Sequence, residues 1–78
     1  MKPETRALGP LALFVRERRK ARGMTQQDLA ELAGVGTRFV SDLERGKATL
    51  RLDHANRVLA VFGKTLGVTD KPRADDAP

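Results

Sequence analysis

The chain has 78 residues, with 15 Lys and Arg against 10 Asp and Glu, and it contains no cysteine. This length allows one domain with one small core, and the absence of cysteine excludes a disulfide framework and a thiolate metal site. No apolar run approaches the roughly 20 residues of a membrane span, and the first residues lack the apolar segment of a signal peptide, so we expect a soluble, cytoplasmic protein.

Positive charge is concentrated before Asp70, where Lys and Arg outnumber Asp and Glu by 13 to 7. Such a balance favours an anionic polymer as partner. It also occurs in proteins whose charge serves only to keep them soluble. The chain has one Ser, one His and no Gly-rich phosphate loop. No catalytic constellation can be assembled from these residues, so we expect neither an enzyme nor a bound metal or cofactor. The single histidine, His54, is predicted to lie on the surface.

The chain is predicted to divide into a flexible arm at residues 1–9, a folded domain at residues 10–69 and a disordered tail at residues 70–78. The arm has no hydrophobic period, and the tail combines three acids with proline and no large apolar residue. The first helix of the domain is expected to begin near Pro10, which suits a first helical turn, and to end at Gly23. Its inward-facing residues are Leu11, Phe14 and Val15.

A second helix is predicted over Gln26–Ala33. Thr25 and Asp28 have the spacing of a capping box, in which each side chain hydrogen-bonds the other residue's backbone at a helix start. Gly34 supplies the left-handed conformation that ends a helix. The predicted buried positions are Leu29, Leu32 and Ala33, which repeat at i, i+3 and i+4.

A third helix is predicted to follow a tight turn and to span Thr37–Arg45. Val40 and Leu43 face inward, and Phe39 lies beside them at the edge of the core. The opposite face is polar and consists of Thr37, Arg38, Ser41, Asp42 and Arg45. A polar helix face held out by a small rigid platform is the form in which proteins read base edges in the major groove of DNA.

A fourth helix is predicted over Leu52–Phe62. Its apolar stripe consists of Leu52, Ala55, Val58, Leu59 and Phe62. After Gly63 the pattern alternates through residues 64–69, as in a short strand with Leu66 and Val68 on one face. No other stretch offers a partner strand, so pairing with the same segment of a second copy is the economical arrangement, with an extended surface tail as the alternative.

Residues Val15–Gly46 resemble the helix-turn-helix of the Cro/C1-type (XRE) repressor family. The likeness rests on the small residues Ala30 and Gly34, on the apolar positions and on the closing Leu-Glu-Arg-Gly-Lys run. It implies an all-α fold, namely a compact, lambda repressor-like four-helix domain that binds double-stranded DNA. It also implies a structural ion pair between Arg19 and Glu44.

The resemblance further implies which side chains contact DNA. Base contacts are expected from Thr37, Arg38, Ser41 and Asp42, and phosphate contacts from Gln26, Gln27, Arg45, Lys47 and Arg51. Arg38 is the best candidate for direct readout, because a guanidinium can donate twice to guanine. Asp42 is repelled by DNA unless it accepts from a cytosine amine or pairs with Arg38 or Arg45, and we favour the pair.

The run from Phe39 to Gly46 and the residues after it resemble more narrowly the HipB-like branch of small antitoxins and repressors. This branch implies a homodimer joined by an intersubunit strand ribbon, formed here by Lys64, Thr65, Leu66, Gly67 and Val68. We therefore expect an autoregulating repressor on an inverted-repeat operator, with a HipA-like kinase toxin as a second partner. A free-standing phage-type or housekeeping regulator without a toxin is the alternative.

Overall fold

The computed structural model describes the backbone of residues 3–70 and the side chains from Gly9 onward. Four α-helices follow one another in this range: α1 (Pro3–Ala21), α2 (Gln26–Ala33), α3 (Thr37–Glu44) and α4 (Leu52–Val61). The predicted all-α, four-helix architecture is confirmed. Residues 71–78 of the predicted tail lie outside the described range. None of the described helices has both the length and the apolar character needed to cross a membrane.

The first helix, α1, begins at Pro3 rather than near Pro10. Gly9 interrupts it with φ 63° and ψ 174°, a conformation that glycine adopts readily, so residues 3–8 form a separate helical turn. Pro10 then lies in the first turn of the continuous helix, where its missing N–H leaves no bond unmade. The backbone of residues 3–8 is therefore helical, where the sequence pattern predicts a flexible arm.

The core lies where the four helices meet. Its fully buried large side chains are Val15 from α1, Leu29 from α2, Val40 and Leu43 from α3, and Val58 from α4. Burial of each such side chain contributes about 1.5–3 kcal/mol to folding. The small residues Ala30, Ala33 and Ala55 are also buried. They let α2 pack closely against α3 and α4, and α3 is also in contact with α1 and α4.

Two leucines that the sequence pattern places in the core are exposed: Leu32 to 68% and Leu52 to 70%. The buried face of α2 is formed by Leu29, Ala30 and Ala33. At 100° per residue, Leu32 points roughly 110° away from the middle of that face. Leu52 is the first residue of α4 and lies at the end of its apolar stripe, beside the segment that follows α4.

The segment after α4, residues 64–70, forms neither helix nor strand. A strand is defined by a ladder of hydrogen bonds to a second strand, and none is available within residues 3–70. The predicted strand at residues 64–69 is therefore absent from the single chain. The segment is nevertheless held against α4, because Asn56 Oδ1 accepts hydrogen bonds from the Leu66 N–H at 2.8 Å and from the Thr65 hydroxyl at 3.1 Å.

Candidate nucleic-acid interface

The start of α2 contains the predicted capping box. Thr25 Oγ1 accepts a hydrogen bond from the Asp28 N–H at 3.0 Å, and Asp28 Oδ2 accepts one from the Thr25 N–H at 2.9 Å. The bond from the Thr25 backbone lowers the pKa of Asp28. The box fixes the N-terminus of α2 and leaves Gln26 and Gln27 in its first turn, where backbone N–H groups and the helix dipole favour a phosphate.

The turn between α2 and α3 is short and is held by a backbone hydrogen bond to α2 and by a side-chain hydrogen bond from α4. Gly34 has φ 73° and ψ 34°, the predicted left-handed conformation, and the Val35 N–H donates to the Ala30 carbonyl at 3.0 Å. Arg57 of α4 donates from Nη1 to the Gly34 carbonyl at 3.3 Å. The orientation of α3 relative to α2 therefore depends on the backbone geometry of the turn and on a contact from α4.

Fewer polar side chains are exposed on the outward face of α3 than the sequence pattern predicts. Thr37 and Arg38 are exposed, and the Arg38 side chain is 89% exposed. Ser41 is half-buried at the margin of this surface. Asp42 differs from its neighbours, because it is only 7% exposed. The structure thus exposes Thr37 and Arg38 to solvent and turns Asp42 inward.

The carboxylate of Asp42 is surrounded by three cations. Arg45 Nη2 donates a hydrogen bond to Oδ1, while Lys47 Nζ lies 3.6 Å and Arg38 Nε 3.9 Å from Oδ2. The hydrogen bond from Arg45 keeps the pKa of Asp42 below its usual value, against the opposing effect of burial. The favoured prediction, an ion pair with Arg38 or Arg45, is the geometry found. The predicted base contact of Asp42 would require a carboxylate oxygen to leave one of these cations.

Arg19 and Glu44 form the ion pair that the resemblance implies. Their side chains are 12% and 5% exposed, and the contact from Arg19 Nε to Glu44 Oε2 is 2.7 Å. Arg19 Nη1 also donates to the Met24 carbonyl at 2.7 Å, and Gln26 Nε2 donates to Glu44 Oε1 at 3.1 Å. The hydrogen bond with Glu44 raises the pKa of Arg19. Glu44 therefore connects α1, the start of α2 and the end of α3.

A basic cleft of about 280 Å³ lies beside this ion pair. It is lined by Arg16, Arg19, Lys20, Gln26, Glu44 and Arg45. Arg16 and Lys20 of α1 are not among the predicted DNA contacts, and the fold brings both next to Gln26 and Arg45, two of the predicted phosphate contacts. Their i, i+4 spacing was the available signal, because it places both cations on one face of α1.

Arg51 is separate from this cluster. Its Nη2 lies 2.8 Å from Asp53 Oδ2 and its Nε donates to Oδ1 at 3.1 Å, so the guanidinium is paired at the start of α4. This hydrogen bonding lowers the pKa of Asp53. The predicted phosphate contact of Arg51 therefore requires the guanidinium to leave Asp53 or to use its remaining N–H groups.

Phe39 and His54 connect α3 to α4. Phe39 is half-buried against the core, as predicted, and its ring centroid lies 5.4 Å from that of His54 with the ring planes at 87°. His54 lies at the surface with its side chain half-buried, because its ring packs on Phe39. The edge-to-face contact adds a support behind the exposed face of α3.

Comparison with known proteins agrees with this geometry. The profile of the family described as Helix-turn-helix matches residues 15–68, from the middle of α1 to the segment after α4. The chain belongs to the helix-turn-helix family. The capped α2, the glycine turn and the supported α3 are thus the two helices and the turn of a helix-turn-helix domain.

Two relatives are similar over most of this helix-turn-helix domain. The uncharacterized HTH-type transcriptional regulator y4mF of Sinorhizobium fredii (strain NBRC 101917 / NGR234) is 38% identical over 58 residues, which cover 74% of this chain and 76% of that protein. An uncharacterized HTH-type transcriptional regulator of Methanothermobacter thermautotrophicus (strain Delta H) is 38% identical over 51 residues, covering 65% of this chain and 74% of that protein.

Proposed function

We propose that the chain is a sequence-specific, DNA-binding transcriptional repressor that acts as a homodimer in the cytoplasm and has no enzymatic activity. The observation behind this proposal is the outward face of α3, where the Arg38 side chain is 89% exposed on a rigidly supported helix-turn-helix. Both relatives carry the name HTH-type transcriptional regulator, which agrees with this role.

The proposed contacts divide between bases and phosphates. Arg38 donates to guanine in the major groove, and Thr37 and Ser41 contact neighbouring base edges or thymine methyl groups. Phosphates are bound by the N-terminal turn of α2 and by cations around α3, which position the domain on the duplex without reading its sequence. The proposed phosphate contacts are Gln26, Gln27, Arg45, Lys47 and Arg51, to which the cleft adds Arg16 and Lys20.

The proposed dimer uses the segment after α4. Leu52 is 70% exposed and Val68 is fully exposed, and both line an open groove with Asn56, Leu66 and Gly67. Pairing residues 64–68 with the same segment of a second copy would cover this apolar groove and complete the backbone hydrogen bonds of the strand. A domain of this length also gains stability from the additional buried surface.

The proposal is tested by selecting bound duplexes from a random pool with the full chain. We expect an inverted repeat bound by two chains, with half-sites about 34–36 Å apart or a multiple of this distance. A footprint of the same length on the DNA upstream of the chain's own reading frame would support autoregulation. Equal binding of all duplexes, or no binding at low ionic strength, would contradict the proposed function.

We further propose that this repressor is the autoregulating antitoxin of a HipB/HipA-like pair. Support comes from the resemblance of the run from Phe39 onward to the HipB-like branch, and the partner would be a HipA-like kinase. A free-standing regulator is the alternative, and the names of both relatives agree with it equally well. Purification of the tagged chain from its native host, followed by mass spectrometry of bound proteins, separates the two. A kinase in stoichiometric amount supports the antitoxin, and its absence supports the free-standing regulator.

A further inference from the structure

The position of Asp42 is unusual for a residue on a DNA-reading helix. It follows Ser41, one of the proposed base contacts, on α3, yet it is 7% exposed and both carboxylate oxygens face cations. All three cations are within five residues along the chain, and Lys47 also donates its backbone N–H to the Asp42 carbonyl at 3.0 Å. The cluster is therefore local, and Asp42 joins no two helices, in contrast to Glu44.

A direct base contact by Asp42 would have a high cost. To accept from a cytosine amine, a carboxylate oxygen must become accessible in the groove and give up Arg45 or Lys47. The carboxylate would then approach the duplex without the cations that neutralise it, and the nearby phosphates would repel it. The same cations have a second available partner, because every duplex offers phosphates at this distance from a major-groove helix.

On the basis of the proposed DNA-binding function, we propose that Asp42 is a specificity-determining residue that acts through Arg38, Arg45 and Lys47 and not through a base. Asp42 competes with phosphate for Arg45 and Lys47, which reduces the affinity for duplexes of any sequence. Through the 3.9 Å approach of Arg38 Nε to its Oδ2, Asp42 also favours the conformations of Arg38 that lie near the carboxylate on the exposed face of α3. Arg38 then loses less conformational freedom when it meets guanine.

The two effects of Asp42 differ in how they depend on sequence. Weaker attraction to phosphate lowers the affinity for the operator and for mixed-sequence DNA alike, because phosphate contacts carry no sequence information. A restricted Arg38 strengthens binding to the operator, where the base contact is made. The lowered pKa of Asp42 agrees with a carboxylate that remains ionised throughout the physiological range. Through its effect on Arg38, the residue thus widens the gap between operator and mixed-sequence affinity.

The inference is tested with Asp42→Asn and, as a matched control, Glu31→Gln. Both substitutions remove one negative charge, and Glu31 is exposed on α2. Affinities for the duplex selected by the wild type and for a mixed-sequence duplex are measured over a range of salt concentrations. For Asp42→Asn we expect tighter binding to mixed-sequence DNA and a slope of log affinity against log salt that is steeper by up to about one. The ratio of operator affinity to mixed-sequence affinity should be roughly tenfold lower. Glu31→Gln should leave this ratio unchanged.

A double variant tests whether Asp42 acts through Arg38. In an Arg38→Ala background, Asp42→Asn should reduce discrimination no further at the base pair that Arg38 reads. An unchanged operator-to-mixed ratio in Asp42→Asn would overturn the inference. So would a loss of preference at a base pair that Arg38→Ala leaves intact, because that result assigns a base contact to Asp42.

Two further outcomes are also decisive. Thermal unfolding of Asp42→Asn should resemble that of the wild type, since its partners are all local, and an unfolded variant would contradict the inference. A wild type without any sequence preference would instead overturn the proposed function itself. The failure of the inference and the failure of the function are therefore distinguishable in one set of measurements.

Discussion

Arg19 and Glu44 connect two helices through two charge-assisted hydrogen bonds, from Nε to Oε2 at 2.7 Å and from Nη2 to Oε1 at 3.0 Å. Both side chains are largely buried. Removal of one partner leaves the other charge buried without compensation, which costs about 3–5 kcal/mol. A domain of this size has roughly 5–15 kcal/mol of stability in total, so the pair is a large fraction of it.

We therefore expect Glu44→Ala to reduce the free energy of unfolding by about 3–5 kcal/mol, as measured by urea denaturation. Glu17→Ala is the matched control, because Glu17 is exposed on α1. Replacing both partners with apolar residues, Arg19→Met with Glu44→Leu, should recover much of the loss. Equal free energies of unfolding for Glu44→Ala and Glu17→Ala would show that the ion pair does not stabilise the fold.

Arg38→Ala should reduce sequence discrimination without affecting the fold. The Arg38 side chain is 89% exposed, so its removal leaves no cavity. A bidentate contact to guanine is worth about 1–3 kcal/mol of discrimination, and this amount should be lost at one base pair in each half-site. Competition binding with operators substituted at single positions measures the change, and a uniform loss on every sequence would contradict the assigned role.

Lys47→Ala should show the opposite pattern. A lysine that contacts phosphate contributes the same affinity on every sequence, so all duplexes should bind more weakly. The slope of log affinity against log salt should become shallower by about one. If Lys47→Ala and Arg38→Ala had the same effect on operator and mixed-sequence duplexes, the division between base and phosphate contacts would be wrong.

Val68→Glu should convert the proposed dimer into a monomer. Val68 is fully exposed in the single chain, and a carboxylate at this position would face its own copy across the two-fold axis. Leu32→Glu provides the control, because Leu32 is 68% exposed on α2 and lies outside the proposed interface. Sedimentation equilibrium should give a monomer for Val68→Glu and the wild-type mass for Leu32→Glu. A dimer in both variants would place the interface elsewhere.

Acid should weaken the start of α2 through Asp28. The folded-state pKa of Asp28 is lowered by its hydrogen bonds to Thr25, so its contribution to stability is fully present above the unfolded pKa of about 4. This contribution is lost as the pH falls through the lowered pKa. Asp28→Asn should therefore reduce the Tm by roughly 2–5 °C at pH 7 and by less at pH 2. A difference between variant and wild type that does not shrink in acid would argue against the charged capping box.

Local chemistry explains why α2 could be predicted with its bounds. The capping box at Thr25 and the left-handed Gly34 act within four residues of each helix end, so the sequence contains all the information needed. The Arg19–Glu44 pair spans 25 residues and came from the family resemblance, since no local pattern joins these positions.

The structure adds to or departs from the sequence pattern where the outcome depends on packing or on a second molecule. The burial of Asp42 depends on how Arg45 and Lys47 fold back after α3, which helical periodicity does not describe. The apolar i, i+3, i+4 pattern placed Leu32 inward, whereas small alanines form the actual contact surface of α2. The strand predicted at residues 64–69 finds no partner strand within residues 3–70, and in the proposed dimer its partner is the same segment of the other copy.

Two adjacent residues of α4 contact two different parts of the domain, the segment after α4 and the turn before α3. Asn56 holds the segment proposed for self-association, and Arg57 donates to the Gly34 carbonyl in the turn before α3. In the proposed dimer, α4 would thus connect the dimer interface rigidly to α3 and fix the distance between the two DNA-reading helices. A dimer of this kind would accept only one spacing between the half-sites. Inserting one base pair between them should therefore abolish operator binding even when every contacted base is retained.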